Sequence, residues 1–257
     1  MQFWHMSGAG NDFAVLDGRG LTLDYPALSR QLCSRLGADG LMAVDTAEDG
    51  SLKLHFYNSD GSRGEMCGNG SRCLCRFVYD NGIAGAQMAL HTDAGTIYAT
   101  RLSQERYRVR LNPPGLVDLT RRPDAAYVEL GDPGIPHAVA ALSGLEFDHK
   151  EKLYEKALEL RHDPVFPKGV NVNFYTELSP GRVRVLTYER FVEDYTLACG
   201  TGCTSIAVAL WLQGKLPGGV LQAENEGGVL TVTLTETDGI LQPALEGPAQ
   251  VLGIYEI

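Results

Sequence analysis

The feature that most constrains the fold is an internal repeat. Met66-Cys67-Gly68-Asn69-Gly70 in the first half is echoed by Ala198-Cys199-Gly200-Thr201-Gly202 in the second, about half the chain further on. Each copy runs directly into an apolar helical pattern, SRCLCRFVYD after the first and CTSIAVALWL after the second. Acidic residues precede both, Glu65 in one case and Glu193-Asp194 in the other. A single Cys-Gly-X-Gly is an ordinary flexible turn before a helix. Two at half-chain spacing predict two pseudo-symmetric halves, each placing a cysteine at the start of its central helix.

The rest of the chain fits that division. Phe3–Met6 and Phe13–Leu16 are short apolar runs joined by a turn-rich SGAGND. Residues 25–36 have helical spacing, with Leu28, Leu32, Cys33 and Leu36 on one face and Gly37 as the stop. LHFYNSDGS reads as a strand entering a turn, and the first cysteine helix ends at Asn81-Gly82. MALHTDAG, TIYATRL and RYRVRLN then alternate as antiparallel strands. Asn112-Pro113-Pro114-Gly115 reads as a linker and sets domains at 1–113 and 114–246. The second half follows the same order, with strands at YVEL, HAVAAL, VNVNFYTEL and RVRVLTYERF, and a charged helix over 148–161. After the second cysteine helix, VLTVTLTE and ALEGPAQVLGIYEI finish as strands. Both halves are mixed α+β, without the regular βαβ order of a parallel sheet.

Composition narrows the class of partner. A formal net charge of −10 and the lack of any basic run argue against nucleic acid or an anionic membrane. With 44% apolar and 21% charged residues the chain can build an ordinary core. Its N-terminus shows neither the basic nor the apolar region of a signal peptide, and no apolar stretch reaches about 18 residues. The expectation is a cytoplasmic protein with reduced thiols. The six cysteines cluster at Cys67, Cys73 and Cys75 and at Cys199 and Cys203, with Cys33 apart. Cys-x5-Cys-x-Cys lacks the paired spacing of common zinc modules, so no metal site is expected. Cys33, Cys73, Cys75 and Cys203 read as small packing residues inside helices.

The two remaining cysteines have a chemical use. The first-turn amides of a helix have no intrahelical partners, and the helix dipole makes that end positive. A cysteine there is expected to have its pKa drawn from about 8.5 toward neutrality, and the same amides can hold a carboxylate. Two such helix starts facing each other would share one carboxylate and flank the carbon beside it. One thiolate then removes the α-proton, and the other thiol returns a proton to the opposite face. The amides stabilise the enolate-like charge that develops meanwhile. That is racemisation without a cofactor.

At these residues the chain resembles the diaminopimelate epimerase family over nearly its whole length. Gly10-Asn11-Asp12-Phe13 matches the family's N-terminal motif. Asn58-x-Asp60-Gly61-Ser62 with Met66-Cys67-Gly68-Asn69-Gly70-x-Arg72-Cys73 matches its first cysteine motif. Pro136-His137, Asn171-Val172-Asn173-Phe174, Tyr188-Glu189-Arg190 and Ala198-Cys199-Gly200-Thr201-Gly202 match later ones. The resemblance implies two similar domains, each a mixed, largely antiparallel sheet wrapped around a central helix, with residues 247–257 completing the first and the active site in the cleft between them. It implies Cys67 and Cys199 as the catalytic pair, with His137 and Glu189 near the reacting amine and thiols. It implies substrate-binding roles for Asn11, Asn58, Asn171 and Arg190, and backbone N–H contacts from Gly68, Asn69, Gly200 and Thr201. A guanidinium such as that of Arg190 suits a distal carboxylate, which it can grip bidentately. The implied partners are a small amino-acid substrate and a second copy of the chain, as a homodimer.

Four positions depart from the family's usual pattern: Phe191, Tyr195, Ile135 and Gly40. None removes the cysteine pair, so they bear on the substrate rather than on the reaction. The expected reaction is epimerisation of LL-2,6-diaminopimelate to the meso form. Racemisation of another amino acid such as histidine is the alternative, and a thiol metal-binding or redox protein is the alternative outside catalysis.

Overall fold

The structure is a computed structural model that describes residues 1–257 except Glu65, Met66, Ala94, Pro133 and Ile257. The two residues before Cys67, which the sequence reading drew into the first motif, therefore lie outside the described residues. The chain divides into two compact units, Met1–Arg110 with Glu246–Ile257, and Leu111–Leu245.

The first unit opens with strands β1 (Gln2–Gly8) and β2 (Asn11–Asp17), an antiparallel hairpin turned at Ala9 and Gly10, both at positive φ. Helix α1 (Tyr25–Leu36) follows. Its ends are written in local chemistry: Asp24 accepts from the Ala27 N–H at the start, and Gly37 closes it in the left-handed conformation, donating to Cys33 O. Such a cap contributes about 1 kcal/mol, and glycine takes the left-handed position without a Cβ penalty. The helix buries Tyr25, Ser29, Leu32 and Cys33 and crosses to β3 (Gly40–Thr46), which lies parallel to β2. Strand β4 (Leu52–Asn58) returns antiparallel to β3, and the short β5 (Arg63–Gly64) folds back on it. Helix α2 (Gly68–Asp80) then leads to β6 (Gln87–Thr92), parallel to β4, with β7 (Gly95–Arg101) and β8 (Arg106–Arg110) added antiparallel.

The second unit repeats this order. After β9 (Pro114–Arg122) come β10 (Ala125–Gly131) and β11 (Gly134–Ala141), again an antiparallel hairpin. A 3₁₀ turn (Phe147–Leu153) and α3 (Tyr154–Arg161) cross to β12 (Asn171–Ser179), parallel to β11. Strand β13 (Arg182–Glu189) returns antiparallel, and β14 (Asp194–Thr196) folds back on it. Helix α4 (Gly200–Leu212) leads to β15 (Val220–Asn225), parallel to β13, followed by β16 (Gly228–Thr237) and β17 (Ile240–Pro248). The chain ends in β18 (Gln250–Glu256), which pairs with β1 in the first unit.

The register repeats as well as the order. Phe13 stands opposite Gly40 across β2 and β3, and His137 opposite Asn171 across β11 and β12. Two residues on, Met42 faces Phe56 and Asn173 faces Thr187. The α+β class expected from the sequence is the one observed, with mixed sheets and one deeply buried helix per unit.

Packing explains why those helices sit at the centre. Helix α4 buries all sides, from Cys203 through Leu210, as an apolar helix must. Helix α2 instead carries Arg72 and Arg76 in buried positions. Their guanidiniums stay satisfied by donating to the carbonyls of Pro248 and Ala249, so they tie the C-terminal segment to the unit the chain began with. A buried charge is tolerable only with partners of this kind.

Two local expectations need correcting. The Asn112–Gly115 cluster is not a free linker, because Pro114 opens β9 and pairs with Leu130 of β10. The charged stretch at 148–161 is not one α-helix. Its first part is the 3₁₀ turn, which buries no residue, and only Tyr154–Arg161 is α-helical, anchored by Ala157 and Leu160. Strands β3, β5, β9, β14 and β15 were not singled out from the sequence. Among the described residues no helix is long and apolar enough to cross a membrane.

Candidate active site

In each unit the cysteine motif becomes a helix start. Cys67 is the N-cap of α2 and Cys199 that of α4, both with extended backbone (φ −133° and −116°). The residues after each cysteine then supply the first-turn amides that lack intrahelical partners.

In the first unit, Asn69 and Asn11 are brought together by a hydrogen bond from the Asn69 amide to Asn11 Oδ1. Asn11 donates to Asp39 Oδ2 at 3.2 Å, and the Asp12 N–H donates to the same oxygen at 3.0 Å. From the other side, buried Arg72 donates to Asn69 Oδ1 at 3.0 Å and to Gly68 O at 3.3 Å. The helix start is thus fixed from behind. Gly8 lets it approach β1, since a Cβ there would lie 2.6 Å from Asn69 O. Asn58 lies beside Asp39 of this group, paired with Gly40 across β3 and β4, in a turn where its amide donates to Ser62 Oγ at 2.9 Å.

In the second unit, Cys199 is buried, and its sulfur accepts from the Gly202 N–H at 3.4 Å and lies 3.4 Å from Thr201 Oγ1. These contacts favour the thiolate, but they do not prevail. Burial, and next to it the Glu189 carboxylate, hold the Cys199 thiol well above its ordinary pKa. The expectation that a helix start draws this thiol toward neutrality is therefore corrected: in the ligand-free protein Cys199 is a thiol. Glu189 in turn accepts from Thr196 Oγ1 at 2.8 Å. Cys73 and Cys75 are fully buried, which pushes both thiols up to about 12 and suits packing rather than metal or redox chemistry.

His137 is completely buried. Burial above all pushes its pKa down to about 3, with the Arg190 charge acting the same way against a hydrogen bond from Asn173. It is a neutral imidazole. Asn173 lies 3.1 Å from its Nδ1, while its Nε2 has no hydrogen-bond partner. Asn171 accepts from the Arg190 N–H at 2.8 Å, and the Arg190 guanidinium donates to Lys168 O at 2.8 Å. That guanidinium also lies over the Phe191 ring, 4.6 Å from its centroid, and its buried Nε has no partner.

The departures from the family pattern fall in three kinds of place. Phe191 is 84% exposed beside Arg190, on backbone with φ 74°. Tyr195 packs in an aromatic group with Tyr154 and Tyr188. Gly40 is sterically required, because a Cβ there would lie 2.6 Å from Tyr57 O and 2.8 Å from the Phe56 ring. Ile135 is 38% exposed on β11. Sequence reasoning passed over Asn173 and Thr187, which the structure puts directly behind His137. The signal was present in Asn171-Val172-Asn173, two polar residues on one face of the buried first half of the strand.

The fold is thus one of two units of like topology, each opening its central helix on a buried or half-buried cysteine. The structure resembles a probable proline racemase from Agrobacterium radiobacter K84 (TM-score 0.70, 19% identity, 100% of this chain and 92% of that one). It also resembles a PhzF-family phenazine biosynthesis protein from Bacillus anthracis (TM-score 0.75, 14% identity, 100% and 98%). At such identities the likeness is one of fold. The family is given by sequence: the diaminopimelate epimerase model matches residues 3–117 and 131–251. A diaminopimelate epimerase from Aquifex aeolicus is 38% identical over 257 residues, covering 92% of this chain and 91% of the relative. The chain belongs to the diaminopimelate epimerase family and is an isomerase.

Proposed function

We propose that this enzyme converts LL-2,6-diaminopimelate to the meso form by a two-base reaction at one α-carbon, without a cofactor. The observation that carries the reading is the pair of cysteine-capped helix starts at equivalent places in two units of the same strand order. Cys67 and Cys199 are the proton-transfer pair. Cys199, kept protonated by burial and by Glu189, supplies the acid at rest, and the pair exchanges roles in the reverse direction. Gly68, Asn69, Gly200 and Thr201 offer first-turn amides to the reacting carboxylate as its charge grows. His137 and Glu189 attend the amine and the thiols, while Asn11, Asn58, Asn171 and Arg190 bind the rest of the substrate. Arg190 suits a distal carboxylate, since its guanidinium is held in place by Lys168 O and Phe191.

Two observations favour a second substrate. Phe191 places an exposed ring against Arg190, and Gly40 with the neighbouring Phe56 ring leaves no room for a polar side chain at position 40. Another amino acid such as histidine would then be racemised by the same pair. Incubation in D2O with LL-diaminopimelate, L-histidine, L-proline, L-lysine and L-glutamate separates these readings. Loss of the α-proton signal with diaminopimelate alone is the expected result. Exchange with histidine instead moves the substrate and keeps the reaction, and exchange with none overturns the proposal.

The setting follows the resemblance: a cytoplasmic enzyme serving lysine and peptidoglycan synthesis, working as a homodimer. Light scattering checks the last point, with a mass near twice the 27.9 kDa of the chain as the supporting result.

A further inference from the structure

The two units supply an internal control for each other. In the first, the positions behind the helix start are apolar: Phe13 on β2, Met42 on β3 and Phe56 on β4. The corresponding positions in the second, matched by strand register, are His137, Asn173 and Thr187. The match extends to contact with the helix. A Cβ on Gly70 would lie 1.9 Å from Met42 Cε and 3.1 Å from Phe13, and one on Gly202 would lie 2.1 Å from Asn173 Oδ1 and 3.2 Å from Thr187 Oγ1. The fold is therefore built with an apolar trio at this place, and nothing in its packing demands a polar one. Burying three polar side chains where apolar ones serve costs desolvation that hydrogen bonds only offset.

The hydrogen bonds of the polar trio have a direction. Thr187 Oγ1 donates to Asn173 Oδ1 at 3.1 Å, and Asn173 Nδ2 donates to Ala138 O at 2.9 Å and lies 3.2 Å from Asn171 O. Turning the amide over would set its oxygen against two carbonyl oxygens, so the NH2 group faces them. The same NH2 group faces His137 Nδ1, 3.1 Å away. A proton on Nδ1 would meet donors only, so Nδ1 carries its lone pair and the proton of the neutral ring sits on Nε2. Nε2 is the ring atom left without a partner in a fully buried side chain.

We infer that Asn173 and Thr187 are positioning residues that lock His137 as an Nε2–H hydrogen-bond donor, so that it offers a hydrogen bond to a carboxylate oxygen of the bound amino acid and does not serve as the base. The inference deepens the function proposed above and rests on it only for the identity of the ligand. The second ring nitrogen fixes which proton is offered, as a carboxylate does for the histidine of a serine-protease triad.

The test is a long-range 1H–15N correlation spectrum of ligand-free protein labelled with 15N-histidine, at neutral pH, with His137 assigned by its loss in His137→Phe. The expected pattern is protonated Nε2 and unprotonated Nδ1. Asn173→Asp presents an acceptor to Nδ1 and is expected to move the proton there, and to slow α-proton exchange by at least about tenfold, since a wrong tautomer costs about 10⁴ in that triad. Asn173→Met copies the first unit, keeps the packing, and is expected to release the tautomer from its lock. A wild-type spectrum with Nδ1 protonated, or an Asn173→Asp spectrum unchanged from wild type, overturns the inference. These spectra need no substrate, so failure of the proposed reaction is read separately.

Discussion

A histidine that stays neutral at every ordinary pH makes stability depend on pH as well as fixing the chemistry. The ordinary value is 6.5, and burial pushes that of His137 down to about 3. The unfolded chain therefore takes up a proton first as the pH falls. The contribution of His137 to stability is complete above its unfolded value and is lost as the pH drops toward its folded one, at no more than about 1.4 kcal/mol per pH unit. His137→Phe is expected to make the fall of the urea midpoint between about pH 6 and pH 4 shallower than in wild type. Equal slopes would contradict the neutral, buried assignment. At this scale the sequence was informative about identity and silent about environment. Cys199 was legible as a helix-start cysteine, but the burial that with the nearby Glu189 carboxylate keeps its thiol protonated depends on how the strands pack around the helix, which no local pattern states. His137 was legible through its motif, while Asn173 acts through a parallel-strand register that no local pattern announces.

At the scale of elements, glycine positions decide how closely a helix start can approach the sheet. Gly70 and Gly202 occupy the same place in α2 and α4 but face different neighbours. A Cβ on Gly70 meets the end of the flexible Met42 side chain, which can shift, whereas one on Gly202 meets the Asn173 amide held by Thr187, Ala138 and the His137 ring. Alanine in a helix interior is favoured over glycine by about 1 kcal/mol, and overpacking costs about 1–3 kcal/mol. Gly202→Ala is thus expected to lower the urea midpoint, and Gly70→Ala to lower it less. The reverse order would show that the Asn173 network is not rigid. Helix α1 was legible to the residue because its cap, its apolar face and its stop are all local. The 148–161 stretch was misread because charged helix formers fit a 3₁₀ turn as well as an α-helix when nothing is buried. Strand β3 escaped notice because an apolar run buried on both faces lacks the alternation that marks a strand.

For the whole molecule, the repeat of the cysteine motif announced two equivalent units, and the strand order bears that equivalence out down to register. The sequence placed a linker at 112–115, while the units meet in the chain at Arg110 and Leu111 and again near Glu246. The second crossing depends on Arg72 and Arg76 holding the carbonyls of Pro248 and Ala249, contacts between positions more than 170 residues apart. The proposed reaction needs one cysteine from each unit. Its most direct test is epimer interconversion by wild type, Cys67→Ala and Cys199→Ala, followed by NMR in D2O with the substrate found above. Each single variant is expected to lose about 10²-fold or more, the scale of a missing acid or base. Interconversion near the wild-type rate in either variant would contradict the account.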